Sequence, residues 1–239
     1  MKAVFTFIVI LYSSMATAVQ TLSSGIGQKV LLELYTSEGC SSCPPMDHYL
    51  ASYRENKNLW EIFVPVAFHV DYWDYIGWQD RYAAPEFTTR QQHHAREHNT
   101  RSVYTPALIV NGNGWRPGLF STEPTFNTQP AGNLDVVVDK KNISAKFRPV
   151  LGDANRLDLH IALLGLDIKT KVSAGENNGR VLKHEFVVIG FKTLRGINGR
   201  WHTSLPDLHY KGAAPQAIAA WVTRANSLKP LQAVGGYLD

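Results

Sequence analysis

The chain contains two cysteines, Cys40 and Cys43, which stand in the sequence TSEGCSSCPP with the spacing C-x-x-C. Two thiols at this spacing can form a disulfide, exchange it with another thiol, or bind a soft metal ion. The two prolines that follow are tolerated in the first turn of a helix. Because a helix N-terminus stabilises an anion, the motif favours a reactive thiolate, with Cys40 as nucleophile and Cys43 as resolving thiol.

Two other interpretations of the motif stay open at this point. A disulfide that only staples the chain would contribute roughly 2 kcal/mol, because the ring it closes is so short. A copper carrier could add Met46 and His48 to the two thiolates, a soft set of ligands that suits Cu(I). The reactive interpretation predicts Cα atoms roughly 4.4 to 6.8 Å apart and Cys40 more exposed than Cys43.

The elements around the motif are predicted from apolar periodicity and turn residues. A buried strand over 29–37 ends just before the motif, and a helix over 44–56 follows it. Further along come a strand over 63–70, a polar helix over 83–99, and a strand over 107–112 that ends in an Asn-Gly hairpin signal. The cysteines are therefore expected at the junction of a strand and a helix.

The second half of the chain alternates between polar and apolar residues in five β-like segments. Strands at this spacing predict a small β-sandwich over 134–239. The polar segment 121–133, which contains Pro124, Pro130 and Gly132, indicates a linker. The segment 215–227 fits a helix or a strand equally well. We therefore predict an α/β domain over 19–120, a linker and a β-sandwich domain.

The first 18 residues have the layout of a secretory signal peptide, with Lys2, a short apolar run and an A-x-A site ending at Ala18. An uncleaved anchor is the alternative, although the apolar run is too short to cross a bilayer. Cleavage would leave no membrane-spanning segment and place the protein in the periplasm or outside the cell. Disulfides form and persist in those compartments.

Charge gives a weaker constraint on partners. The chain has 24 basic and 20 acidic residues, a net charge of +4, without a run of lysine and arginine. Nucleic-acid binding is therefore not expected, and no cofactor is expected either. The oligomeric state is left open.

The sequence HVDYWDYIGWQD, residues 69–80, concentrates aromatic and acidic side chains directly after a predicted strand. In a functional interpretation Trp73 or Trp78 forms the floor of a substrate groove, and Asp71 or Asp74 accepts a proton. In the alternative, which we favour, the aromatics pack between the two predicted domains and the acids cap the next helix.

Two further groups of residues are candidate binding sites. His93, His94 and His98 could place two imidazoles one helical turn apart, but polar helix faces often carry such histidines. The segment AGENNGR, residues 174–180, could cradle an anion or form a hairpin turn.

A cysteine motif after a strand, followed later by VYTPALIVNG, resembles the thioredoxin superfamily. The resemblance implies a cis Thr105-Pro106 bond at the start of the strand beside the cysteines, with both residues part of the catalytic site. The sequence departs from thioredoxin at Gly39, where tryptophan is usual, and in the two serines between the cysteines. The redox potential of thioredoxin therefore cannot be carried over.

The sequence resembles more closely an uncharacterised family of exported bacterial proteins, domain of unknown function 1223. The segments LYTSEGCSSCPP, VAFHVDYWDYIGW, VYTPALIVNG and GENNGRVLKHEFVV carry this resemblance. It implies a thioredoxin-like first half and no established activity. We therefore expect an exported thiol-disulfide oxidoreductase that acts on protein or small-molecule thiols. A copper carrier and a non-catalytic binding module with a structural disulfide are the alternatives.

Overall fold

The computed structural model describes residues 19–116, 124 and 129–238. These residues form two α-helices, α1 (Pro44–Ala51) and α2 (Pro85–Arg96), and two 3₁₀ turns, Ser52–Glu55 and Asp74–Ile76. The strands are β1 (Gln20–Ser23), β2 (Val30–Thr36), β3 (Phe63–His69), β4 (Ala107–Val110), β5 (Asn113–Trp115), β6 (Gly132–Asp139), β7 (Asn142–Pro149), β8 (Leu157–Gly165), β9 (Ile168–Lys171), β10 (Val181–His184), β11 (Val187–Arg195), β12 (Arg200–Ser204), β13 (Ala217–Arg224) and β14 (Pro230–Tyr237).

Most local predictions are confirmed. Strands β2, β3 and β4, both helices, and the β4–β5 hairpin lie where the apolar runs and turn residues place them. Each helix begins with proline, which fits because the first N–H groups of a helix have no partner inside it. The ambiguous segment 215–227 contains strand β13.

The largest sheet has eight strands in the order β14-β13-β8-β11-β3-β2-β4-β5. Its β2–β3 and β3–β11 pairs are parallel, and the others are antiparallel. Every residue of β2 and β3 is buried, because both faces of these central strands are covered.

A second sheet, with the order β1-β6-β7-β12, packs against the large sheet. Its inward residues, among them Leu134, Val136 and Ile143, share a core with Ile161 of β8 and Ile189 of β11. Strands β6 and β7 alternate between buried and partly exposed residues, as expected for a sheet with one covered face. Strands β9 and β10 pair only with each other among the described residues.

The predicted fold class, an α/β thioredoxin-like domain followed by a β-sandwich domain, is wrong. The described residues form fourteen strands and two α-helices, so strand far outweighs helix. The eight-stranded sheet joins β2 to β5 from the first half with β8, β11, β13 and β14 from the second. The physical reason is that β11, from the second half, pairs in parallel with the edge of β3 that β2 leaves open. The Ala67 amide donates a hydrogen bond to the Phe186 carbonyl at this junction.

Two predictions concern residues outside the described part. The proposed signal peptide, 1–18, lies wholly outside it, and the proposed linker, 121–133, lies mostly outside it. Among the described residues, no helix is long and apolar enough to cross a membrane.

Candidate functional site

The two cysteines form a disulfide at the junction of β2 and α1. Their Cα atoms are 5.4 Å apart, within the predicted range. Cys43 caps the N-terminus of α1, and its carbonyl accepts hydrogen bonds from the amides of Met46 and Asp47. Cys40 lies in the preceding loop, so the helix holds Cys43 more firmly than it holds Cys40.

Both cysteines are fully buried, which contradicts the prediction that Cys40 is the more exposed. Two neighbouring segments explain the burial. On one side Trp73 packs so closely that a Cβ added at Gly39 would lie 2.9 Å from the Cβ of Trp73. On the other side the loop between β9 and β10, residues 172–180, lies against the loop between β2 and α1 that contains both cysteines, residues 37–43, which we call the cysteine loop. We call residues 172–180 the cover loop.

Hydrogen bonds tie the cover loop to the cysteine loop. The Asn177 side chain donates to the carbonyls of Glu38, at 2.8 Å, and Cys40, at 3.0 Å. The Glu176 carboxylate accepts a hydrogen bond from the Ser41 amide at 3.2 Å, and its hydrogen bonds with Ser41 lower the pKa of Glu176. The segment AGENNGR is therefore the hairpin connection, and it contacts the disulfide region.

Five ionisable side chains are buried between the cysteine loop and the strands beneath it. We call them the buried charge cluster, and its members are Glu38, Asp47, His69, Asp80 and His184. Glu38 precedes Cys40 by two residues and Asp47 follows Cys43 by four, so both lie close to the disulfide along the chain. Residues four apart on a helix share a face, so Asp47 lies one turn below Cys43.

An ion pair lies at the centre of the buried charge cluster. The Nδ1 atom of His69 lies 2.7 Å from an Asp80 carboxylate oxygen. That carboxylate also accepts hydrogen bonds from the amides of Glu38 and Tyr82. Burial alone would lower the pKa of His69, but the Asp80 carboxylate outweighs it and raises the pKa to about 9. Burial would raise the pKa of Asp80, but the interactions with His69 lower it.

The other members of the cluster surround this pair. Burial raises the pKa of Asp47, and the nearby His184 and His69 offset part of that increase. The His184 Nε2 atom lies 3.3 Å from a Glu38 oxygen, and the rings of His69 and His184 are 5.0 Å apart. A carboxyl with a raised pKa one turn from a cysteine can hold and release a proton there.

The four predicted substrate-binding residues make bonds within the protein. Trp73 and Trp78 are half-buried and donate from their indole nitrogens to Thr105 Oγ1, at 2.7 Å, and a Glu38 oxygen, at 2.8 Å. Asp71 accepts a bond from the Thr88 hydroxyl, and Asp74 accepts one from the amide of Asp80. The hydrogen bonds of the two tryptophans hold the aromatic segment, residues 69–80, against the cysteine loop and the Thr105 loop. Contact between these four residues and a substrate stays a prediction.

The Thr105-Pro106 peptide bond is cis, as predicted. It lies at the start of β4, which pairs with β2. The Thr105 side chain accepts the Trp73 hydrogen bond, so the proline loop and the aromatic loop are in contact. The catalytic roles of Thr105 and Pro106 stay predictions.

No group of three or more His, Cys, Asp or Glu side chains within 19–116 and 129–238 could hold a metal ion. The three histidines have different surroundings. His94 is buried beside Glu33 and Asn99, His93 lies 3.3 Å from a Glu97 oxygen, and His98 lies beyond the end of α2.

Sequence reasoning missed most of the buried charge cluster. A signal for Asp47 was present, because it follows Cys43 by one helical turn and so shares its face. The alternation in VLKHEF could have placed His184 on the buried side of β10. Asn177 had no signal beyond its place in a turn.

With this geometry established, comparison with known proteins identifies the family. Residues 31–223 match the family described as "Protein of unknown function (DUF1223)", and the chain belongs to it. No curated protein matches the chain.

Two solved structures are similar to this one. The protein AGR_C_4864 from Agrobacterium tumefaciens is 22% identical, with a TM-score of 0.59, and the match covers 88% of this chain and 94% of that one. HBP35 of Porphyromonas gingivalis is 14% identical, with a TM-score of 0.55, covering 90% of this chain and 77% of that one. At these identities the similarity concerns the fold alone.

Proposed function

We propose that the protein is a thiol-disulfide oxidoreductase that acts outside the cytosol, through exchange at the Cys40–Cys43 disulfide. The observation that carries this proposal is the buried charge cluster next to the disulfide. Burying ionisable groups lowers the stability of a fold unless they are well paired. A purely structural disulfide in so short a ring needs no ionisable groups beside it. A disulfide that is reduced and reoxidised must exchange protons with its surroundings.

The reaction consists of two exchange steps. A substrate thiolate attacks Cys40 Sγ, the bond to Cys43 breaks, and its electron pair goes to Cys43 as a thiolate. Asp47, when protonated, supplies a proton to that thiolate. A second substrate thiolate then attacks the substrate sulfur of the mixed disulfide and releases Cys40. The substrate dithiol is oxidised by two electrons and the protein disulfide is reduced, and the reverse sequence reduces a substrate disulfide.

Attack at Cys40 follows from how the two cysteines are held. The backbone of Cys43 is fixed by α1, and two prolines follow it. Cys40 is followed by the exposed Ser41, and its sulfur lies 3.4 Å from the hydroxyl of the exposed Ser42. Movement of the cover loop away from the Cys40 carbonyl would therefore uncover Cys40 first.

Trapping a mixed disulfide tests the proposal. The variants Cys43→Ala and Cys40→Ala are each incubated with a fluorescent cysteine-containing peptide in its disulfide form. The Cys43→Ala protein should retain the peptide through Cys40, because the resolving thiol is missing. The Cys40→Ala protein should retain far less, because Cys43 is held in the helix. Equal retention by both variants contradicts the assigned roles, and a wild-type disulfide that dithiothreitol reduces only on unfolding contradicts the function.

A further inference from the structure

The hairpin that carries the cover loop has two chemically different faces. Its inward side chains are buried, and they are Ile168, Thr170, Leu182 and His184. Its outward side chains are exposed, and they are Lys169, Lys171, Val181 and Lys183. We call the outward side the lysine face. It presents three positive charges beside the cysteine loop.

The lysines of this face are arranged in a way that does not favour folding. In the β9–β10 register Lys183 lies directly opposite Lys169, and Lys171 lies diagonally from Lys183. Like charges directly opposite each other on antiparallel strands destabilise the pair. Within the described part of the chain, these lysines form no ion pair.

The acidic residues closest along the chain have other partners. Asp167 and Glu185 lie at the two ends of the hairpin, and both pair with Arg54, at 3.5 and 3.4 Å. Glu176, in the cover loop, accepts the hydrogen bond from Ser41. The positive charge of the lysine face is thus left for an external partner.

We propose that the lysine face is the docking surface for an extended, acidic polypeptide segment of the thiol substrate. Alternate side chains of a strand are separated by roughly 6.6 Å, so an extended chain with acids at alternate positions matches Lys169 and Lys171. The face has one apolar side chain, Val181, and so lacks the apolar anchors of a membrane-binding surface.

Docking there places the partner beside the disulfide. The cover loop continues directly from both strands of the hairpin, and Asn177 in it holds the Cys40 carbonyl. The inference that the partner carries a thiol rests on the proposed function. The inference that it is acidic and extended rests on the lysine face alone, so the two can be tested separately.

The first experiment measures binding without any redox chemistry. The probe is a cysteine-free peptide of alternating glutamate and threonine, and its control has glutamine for glutamate. Binding is measured by titration calorimetry at low salt to the wild type, to Lys169→Gln/Lys183→Gln, and to Lys140→Gln/Lys141→Gln. The last variant removes two exposed lysines from the β6–β7 turn, so both variants lose the same charge.

Binding of the acidic peptide should weaken about fivefold in the hairpin variant, the expected loss of two exposed ion pairs, and stay unchanged in the turn variant. Equal weakening in both variants, no binding by the wild type, or binding to anionic phospholipid vesicles in place of the peptide would overturn the proposal.

The second experiment measures the rate of disulfide exchange. The hairpin variant should react more slowly with an acidic cysteine peptide and at the wild-type rate with dithiothreitol. If the peptide binds but no thiol exchanges, the docking surface stands and the proposed function fails.

Discussion

The ion pair between His69 and Asp80 predicts how stability depends on pH. Because the pKa of His69 is raised from 6.5 to about 9 in the folded protein, folding favours its charged form. Its contribution to the free energy of unfolding is therefore fully present below pH 6.5 and is lost as the pH rises through 9. The pKa of His69 rises by about 2.5, and at about 1.4 kcal/mol for each whole step of pKa this corresponds to about 3.5 kcal/mol.

Urea denaturation of the wild type at pH 6.5 and pH 9.5 measures this loss. The variant His69→Gln should be less stable at pH 6.5, because it leaves Asp80 buried without its partner, and should lack the decline between the two pH values. The control His202→Gln alters an exposed histidine of β12 and should follow the wild-type profile.

The reasoning is refuted if the wild type keeps its stability up to pH 9.5, or if His69→Gln shows the same decline as the wild type. A direct measurement covers the case in which the variant does not fold. Titration of the wild-type His69 ring protons by NMR should give a midpoint near pH 9. A midpoint below 7 would mean that the Asp80 carboxylate does not compensate for burial.

Three further predictions concern the disulfide and its surroundings. Gly39→Ala should lower the free energy of unfolding by about 1 to 3 kcal/mol, because the added Cβ collides with Trp73, whereas Gly27→Ala, which meets no atom within 4 Å, should change it little; equal effects would contradict the packing. Lys183→Glu should raise stability at low salt by about 0.2 to 1 kcal/mol, since it replaces a like-charge pair by an opposite-charge pair; an unchanged urea midpoint would contradict this. Asp47→Asn should slow reduction of the disulfide by dithiothreitol by about tenfold or more and remove part of its pH dependence; an unchanged pH-rate profile would exclude proton transfer by this carboxyl.

The local elements could be predicted because their signals are local. An apolar run that ends in turn residues defines β2 or β3, and proline with a following apolar period defines α1. These signals depend on backbone geometry and on burial. Neither requires knowledge of which strands become neighbours.

The sheet arrangement could not be predicted in the same way, although one signal pointed to it. Strands β8 and β13 contain continuous apolar runs, IALLG and AIAAWV, which are typical of strands buried on both faces. Sandwich strands with one exposed face alternate, as β6 and β7 do. Even so, the pairing of β11 with β3 joins distant parts of the chain, and no local pattern specifies it.

The residues of the candidate site likewise fall into those with a local sequence signal and those without one. The cysteines and the cis proline are recognisable because short motifs contain them. His184 and Asn177 reach the site from the second half, through the β9–β10 hairpin, and nothing local to their positions indicates what they contact.

The parallel pairing of β11 with β3 has a consequence for the order of folding. The cysteines are three residues apart and can meet as soon as both have been synthesised, but Asn177 and His184, on one side of them, come from more than a hundred positions later. Contacts at such separation form late, because a long loop must close first. An incomplete chain would carry a bare disulfide loop and an unpaired β3 edge, which can pair with other chains. The surroundings of the disulfide are thus complete only once the C-terminal half of the chain has been made.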